Sequence, residues 1–523
     1  MNLKNNILPA CLALMAVLFA GCRKFLDVNH NPAVPQEVSA ELYLSPIIYH
    51  IANGYAQDQR FINKFTQAML GASTGRTSYI WEQHSYPGGT SDLGAVQWRT
   101  VYFNHGANLE NMISDAIAKQ KYEFAAIGYA IKAWDFQTLT DYHGPLPIEG
   151  LYHPTKLIYD YHDQPYIYEK VQRFCDTALF YLAMESPLDQ APLLAKYDYI
   201  YFGSMARWKK FVHGIKALNY SRYINKPDFV EKYADSVLKY VALSFETISD
   251  DACVNFTGTR SENSNVYGQD QGLLNSINYN RPGKPIVSYL TGGLRGDPAD
   301  EPKTSDDPRL SRMLKHYGPD SLYLGAEPDG RAGNSNLASV GSYYLFKNKA
   351  DFPILTYHQL QFIKAEVALK KADKQTALLA YRAGIAGHMN FVNKYNSVPD
   401  ENLPILPLPI TAAEVDSFMT KSAEVVRNPN DLTLADIMGH KYIALWGWGG
   451  YDIWADLRKY RYDPAVFRQF VPLGARRLLL PCPAEVQFGV HVERRIAGQI
   501  RWAGGRLRDP TAVVCLGWVL IWI

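Results

Sequence analysis

The feature that most constrains this chain recurs from about residue 96 to residue 460: an apolar stripe at spacings of three and four, a turn, then a second stripe. Glu123 to Tyr142 places Phe124, Ile127, Ile131 and Trp134 on one face, with Ala126, Ala130 and Ala133 on another. Those intervals line one side of a helix, and small residues let a neighbouring helix come close. The stretch ends at His143-Gly144-Pro145, a strong stop signal. Asp163 to Met184 repeats the pattern with Val171, Cys175, Ala178 and Leu182, and Ser204 to Asn225 repeats it with Trp208, Phe211, Ile215 and Leu218. Phe229 to Leu243 predicts a further helix. Ile354 to Ala372 and Thr376 to Phe391 form a hairpin across the turn Lys371-Ala372-Asp373-Lys374. A helix with one apolar stripe must bury it against a neighbour. Successive pairs therefore predict a mainly α fold of stacked, tetratricopeptide-like helical hairpins.

Other stretches depart from the hairpin pattern. Glu37 to Leu70 reads as helical but broken near Pro46 and Gly54, and Val96 to Lys119 reads as one helix. Thr411 to Arg427, Leu432 to Trp446 and Tyr451 to Tyr460 supply further helices, with a break at Gly447 to Gly450. Residues 71–94 have no helical period and are rich in Gly, Ser and Thr, which predicts a long loop of the kind that carries function. Residues 248–353 are rich in Gly, Asn, Pro and Asp. They predict an irregular excursion with a few short strands, including the apolar runs Ile286 to Leu290 and Ser342 to Phe346.

The amino terminus has a charged start at Lys4, an apolar run from Ile7 to Phe19, and Ala20-Gly21 directly before Cys22. This is the layout of an export signal over residues 1–21, too short to span a bilayer. The Leu18-Phe19-Ala20-Gly21-Cys22 stretch resembles a bacterial lipobox, which makes Cys22 the lipidation site and residues 22–36 a polar tether. With Cys11 in the signal and Cys482 and Cys515 in an atypical tail, only Cys175 and Cys253 remain, and two cysteines do not make a disulfide framework. Basic and acidic residues nearly balance at 53 and 51, so no field points toward nucleic acid. No Cys/His spacing reads as a zinc site.

Several ordered stretches resemble the SusD/RagB outer-membrane lipoproteins of Bacteroidetes. They are Cys22-Arg-Lys-Phe-Leu-Asp-Val-Asn-His-Asn-Pro32, Trp98-Arg-Thr-Val-Tyr102 followed by Asn108, and Leu139-Thr-Asp-Tyr-His-Gly144-Pro-Leu-Pro147. Tyr161-His-Asp-Gln164 before Tyr168-Glu-Lys-Val171, Pro353 to Tyr357, Phe362 to Glu366, Lys441 to Trp446 and Trp454 to Arg458 complete the series. The resemblance implies a helical domain over residues 37–470 of a cell-surface protein, lipid-anchored in the outer membrane. It implies a binder rather than an enzyme, one that passes glycans, or peptides, to a SusC-like TonB-dependent transporter. No cofactor is implied.

Sugar rings stack on aromatic faces while their hydroxyls need polar partners. The loop offers Tyr79, Trp81 and Tyr86 beside Arg76, Glu82 and His84. The excursion offers Tyr267, Tyr279 and Tyr289 near Asn263, Asn265, Asn278 and Arg281. These six aromatics are the expected ligand contacts. Asp297, Asp300, Glu301, Asp306 and Asp307 form an acidic cluster that Ca²⁺ could use, but the spacing is not that of an EF-hand and three prolines favour a plain turn. The alternatives are an α-helical glycoside hydrolase, drawing its carboxylate pair from Glu82, Asp135 or Asp141, and a structural surface repeat protein.

Residues 471–523 differ in chemistry. All 36 Tyr precede Val471, and Arg replaces Lys beyond it. Codons for Pro481 to Val492, read one base later, can encode Pro-Ala-Gln-x-Arg-Tyr-Asn-Ser-Glu-Tyr-Met-Trp, an ending suited to the resembled family. The expectation is a reading-frame shift shortly after Phe470, and the alternative is a genuine divergent tail.

Overall fold

The computed structural model describes residues 38–472 except 72–81, 83–93, 153–154, 157, 273–279, 317–319, 329–336 and 401–405. The first helix, α1 (Ala40–Phe65), runs unbroken through both expected breaks. Pro46 cannot donate to Leu42, but both residues face solvent, where water can take the freed carbonyl. Gly54 is a packing device: a Cβ there would lie 2.3 Å from Thr100 Oγ1.

After β1 (Met69–Leu70) come α2 (Val96–Arg99), a π-helical turn at Thr100–Asn104, and α3 (Gly106–Ala118). The single helix expected over 96–119 is therefore interrupted. His105 leaves helical geometry at φ −129°, and its imidazole meets Asp135 at 2.8 Å. Helix α4 (Tyr122–His143) ends at Gly144, whose φ is +76°. Helix α5 (Gln164–Leu182) is capped by Asp163, whose side chain accepts from Tyr166 N–H. Then follow α6 (Ala191–Tyr197), α7 (Met205–Ser221), α8 (Phe229–Lys232) and α9 (Ala234–Leu243); Tyr233 splits the helix expected over 229–243.

The excursion contains β2 (Ala252–Val254), β3 (Arg281–Pro282), α10 (Lys284–Leu290) and α11 (Leu310–Met313). Ile286 to Leu290 is thus helix and not strand, because Gly283 and Pro285 start a helical turn there. Ser342 to Phe346 forms turns. Strand β4 (Phe352–Leu355) leads into the hairpin of α12 (Tyr357–Lys370) and α13 (Lys374–Asn396). Helices α14 (Ala412–Lys421), α15 (Leu434–Leu445) and α16 (Gly450–Lys459) finish the described chain.

Helices α4 with α5, α7 with α9, and α12 with α13 pack as pairs; α5 rests on α7, and α7 and α9 rest on α12. This is the expected stack of helical hairpins, and α1 crosses its first part against α3, α4 and α16. The small face of α4 serves close approach as anticipated, with Ala126, Ala130 and Ala133 all buried. The two small sheets are antiparallel, β1 with β3 and β2 with β4. Cys175 and Cys253 are buried free thiols. Among the described residues no helix is long and apolar enough to cross a membrane.

Candidate functional site

Four departures from the helical scaffold share one root at the carboxyl end of α1. Met69 pairs with Pro282 and Leu70 with Arg281, which joins the chain just after α1 to the start of β3. Lys284 N–H donates to Ala326 O at 2.8 Å, and Ala338 N–H donates to Leu324 O at 2.8 Å, which draws in both flanks of 329–336. Leu70, Ala326 and Leu337 form their own apolar cluster beneath these strands. Val471 closes the group: its N–H donates to Gln67 Oε1 at 3.1 Å, and Gln67 Nε2 donates to Val471 O at 2.6 Å.

Packing under this junction leaves little slack. A Cβ on Gly283 would lie 2.0 Å from Gln67 O, so only glycine lets the backbones approach. Trp446 Nε1 donates to Ala68 O at 2.8 Å, and Tyr442 Oη donates to Thr66 O at 3.0 Å, tying α15 to the same turn.

The junction has a polar floor. Lys64, Glu82 and Arg281 are each less than 5% exposed. Lys64 Nζ donates to Asn280 Oδ1 at 3.1 Å, Glu82 Oε1 accepts from Gly71 N–H at 2.8 Å, and Arg281 Nη1 donates to the carbonyls of Leu337 and Ala338 at 3.4 Å each. Burial brings the Lys64 ammonium down to about 8, and the Glu82 carboxylate opposes that fall. A buried cation, a carboxylate, an amide and a guanidinium give donors and acceptors of both signs. Lys64 is held by the Asn280 side chain, and Glu82 and Arg281 by backbone groups.

Tyr79, Trp81, Tyr86, Tyr279 and Cys22 lie outside the described residues, as does the tail from 473 onward. Tyr267 and Tyr289 correct the expectation. Tyr267 is fully buried, stacked on Phe346 at 5.7 Å and edge-on to Phe352. Tyr289 lies 3% exposed against Tyr442 at 5.4 Å. Their rings build the core under the junction and present no face to a ligand. Lys64, on α1, and Asn280, just before β3, were missed, since they meet across 216 positions.

The other expected polar centres are also internal. Asp135 is held by His105, and Asp141 accepts from Arg222 Nε at 2.9 Å and Tyr168 Oη at 2.6 Å. Neither is the solvated or capping group its helical position suggests. In the acidic cluster, Asp307 is buried against Arg309, with Nη2 to Oδ2 at 2.6 Å. Among the described residues no three His, Cys, Asp or Glu side chains gather to hold a metal ion.

A family model described as starch-binding, associating with the outer membrane, matches residues 32–467. No curated protein matches. Similar solved structures include a SusD/RagB family protein from Bacteroides thetaiotaomicron, 18% identical, covering 81% of this chain and 88% of that one with a TM-score of 0.61. A Bacteroidetes SusD-like protein is 15% identical, covering 84% and 92% with a TM-score of 0.65. A chitin-binding protein is 18% identical, covering 81% and 86% with a TM-score of 0.62. At these identities the structures speak for the fold. The family match spans most of the sequence and adds membership: the chain belongs to the SusD-like family.

Proposed function

We propose that this protein is a lipid-anchored, cell-surface binder that captures oligosaccharides, or peptides, and delivers them to a SusC-like TonB-dependent transporter in the outer membrane. The observation that carries the reading is the shared junction. Residues 69–71, 280–284, 324–326 and 337–338, together with Val471, meet at the end of α1 over a polar floor. A scaffold that only stacks repeats has no use for such a convergence. A binder needs several loops over a fixed base. The family's description as starch-binding and outer-membrane associated, and the chitin-binding neighbour, support a neutral glycan as the first ligand class to try.

The hydrolase alternative loses two of its carboxylates, because Asp135 and Asp141 are locked in buried pairs. The anchor rests on Cys22 and the transporter on family membership. Calorimetry of the soluble domain against starch, chitin oligomers and a peptide pool tests the binding step. Saturable heat from one ligand class, reduced at least tenfold by Trp81→Ala, is expected. Release of shortened products from a contaminant-free preparation would replace binder by enzyme.

A further inference from the structure

The amino-terminal half of α1 borders a second concavity, far from the junction. Its volume is about 440 Å³, inside the range of about 300–1,000 Å³ usual for small-molecule sites. Tyr49 and Lys64 are separated by about 22 Å along α1 at 1.5 Å per residue, so the two places are independent.

Three aromatic residues, Tyr49, Tyr199 and Phe256, line the groove. Tyr199 is 37% exposed and Phe202, beside it at 6.4 Å, is 50% exposed, so aromatic surface continues from the groove into solvent. The wall is built in advance. Asn255 N–H donates to Tyr199 O at 2.8 Å and its Nδ2 donates to the same carbonyl at 2.9 Å. Ser45 Oγ donates to Tyr197 O at 2.9 Å, fastening α1 to that segment. Asn263 Oδ1 accepts from Thr259 and Arg260 N–H at 3.1 and 2.9 Å, closing the turn that forms the far lip.

Polar capacity is left over. His50 Nδ1 is buried without a hydrogen-bond partner, in a residue that lines the groove. Burial and the nearby His105 hold this imidazole below its ordinary pKa, so it is neutral at pH 7. Among the described residues no Lys or Arg lines the groove. The one carboxylate among them, Glu262, is 72% exposed at the rim, 3.9 Å from Arg260. Among the described lining residues an anion finds no buried counter-charge, and the rim carboxylate beside Arg260 gives a cation no buried anchor. Aromatic faces with neutral hydrogen-bonding edges match a flat, uncharged, hydroxyl-bearing ring.

We infer that this groove is a second saccharide site, taking a neutral sugar unit with its ring on Tyr199 and Phe256. The choice of saccharide rests on the glycan reading above; the site does not share its residues.

Hydrogen exchange of the full chain, alone and with millimolar maltoheptaose or chitohexaose, separates the two. Expected is at least tenfold slower exchange across 254–263 with one of these saccharides. Tyr199→Ala should abolish it while protection at 64–71 and 280–284 persists. Thr257→Trp, which fills the groove from its exposed rim without removing core, should act the same way. An oligogalacturonate should give no protection at 254–263. Protection of the junction alone overturns the groove and spares the first reading. Protection of the groove alone does the reverse, and protection of neither overturns both. Unchanged protection in both variants, or equal protection by the anionic oligomer, also overturns the groove.

Discussion

Replacing Arg222 by Met should cost about 3–5 kcal/mol at pH 7, the range for stripping one partner from a buried ion cluster. Its guanidinium bonds Asp141 and Asp452, and all three side chains are 7% exposed or less. The cluster joins α4, the end of α7 and α16, which also share the bonds of Asn219 Nδ2 to Gln137 Oε1 and of Arg458 Nη2 to Asp141 O. After substitution Asp141 keeps Tyr168 Oη and Gln137 Nε2, and Asp452 keeps Gln359 Nε2, so neither carboxylate loses every donor. What disappears is the positive charge. Burial already pushes the Asp452 carboxyl up, with Arg222 the largest restraint on that rise. In the variant one carboxylate takes a proton, which costs about 4 kcal/mol at pH 7 for a group of ordinary pKa about 3.9. That ceiling agrees with the range above. It also fixes the pH dependence. A folded pKa raised above the unfolded one gives a term fully present below about 4 and lost as pH rises. The deficit relative to wild type should therefore shrink by about 1.4 kcal/mol per unit as pH falls from 7 toward 5. Urea unfolding followed by circular dichroism at both pH values measures it. Adding Asp141→Asn and Asp452→Asn should recover most of the loss. A deficit under about 1 kcal/mol at pH 7, or one indifferent to pH, would refute the charge argument.

Three further outcomes follow from other places. His388 and His440 flank the buried Arg309, at 3.2 and 3.1 Å from its terminal nitrogens, and burial with that charge holds both well below the usual histidine pKa. The unfolded chain binds protons first, so stability is lost as pH falls below about 6.5; urea midpoints should drop there, less steeply in His388→Gln/His440→Gln, and equal slopes would contradict this. Gly283→Ala forces a Cβ onto Gln67 O, so unfolding should become easier by about 1–3 kcal/mol and ligand affinity should fall with it; unchanged values in thermal melts and calorimetry would show that the junction tolerates movement. Cys22→Ser should end incorporation of a clickable fatty acid in the native host and shift the protein out of the membrane fraction, whereas continued labelling would place the anchor elsewhere.

Local chemistry was legible and long-range placement was not. The stripes of α4, α5 and α7, the Asp163 cap and the Gly144 stop follow from side chains within one or two turns, and the structure has them. The breaks read at Pro46 and Gly54 failed because context outweighed propensity: solvent relieves one and a close-packed Thr100 employs the other. The aromatics of the excursion misled for a related reason. A tyrosine in an irregular stretch looks exposed because the stretch lacks a buried face in sequence, yet Tyr267 and Tyr289 are what give that stretch a core. The junction itself had no local signature at all. Gln67 meets Val471 across 404 positions, and Lys64 meets Asn280 across 216. Only the fold brings such residues together, and a spacing rule that looks a few residues ahead sees four unrelated loops. The stretch 71–94 could be expected to carry function from its composition, but the meeting of Leu70, Arg281, Ala326 and Val471 near the end of α1 is a property of the whole fold.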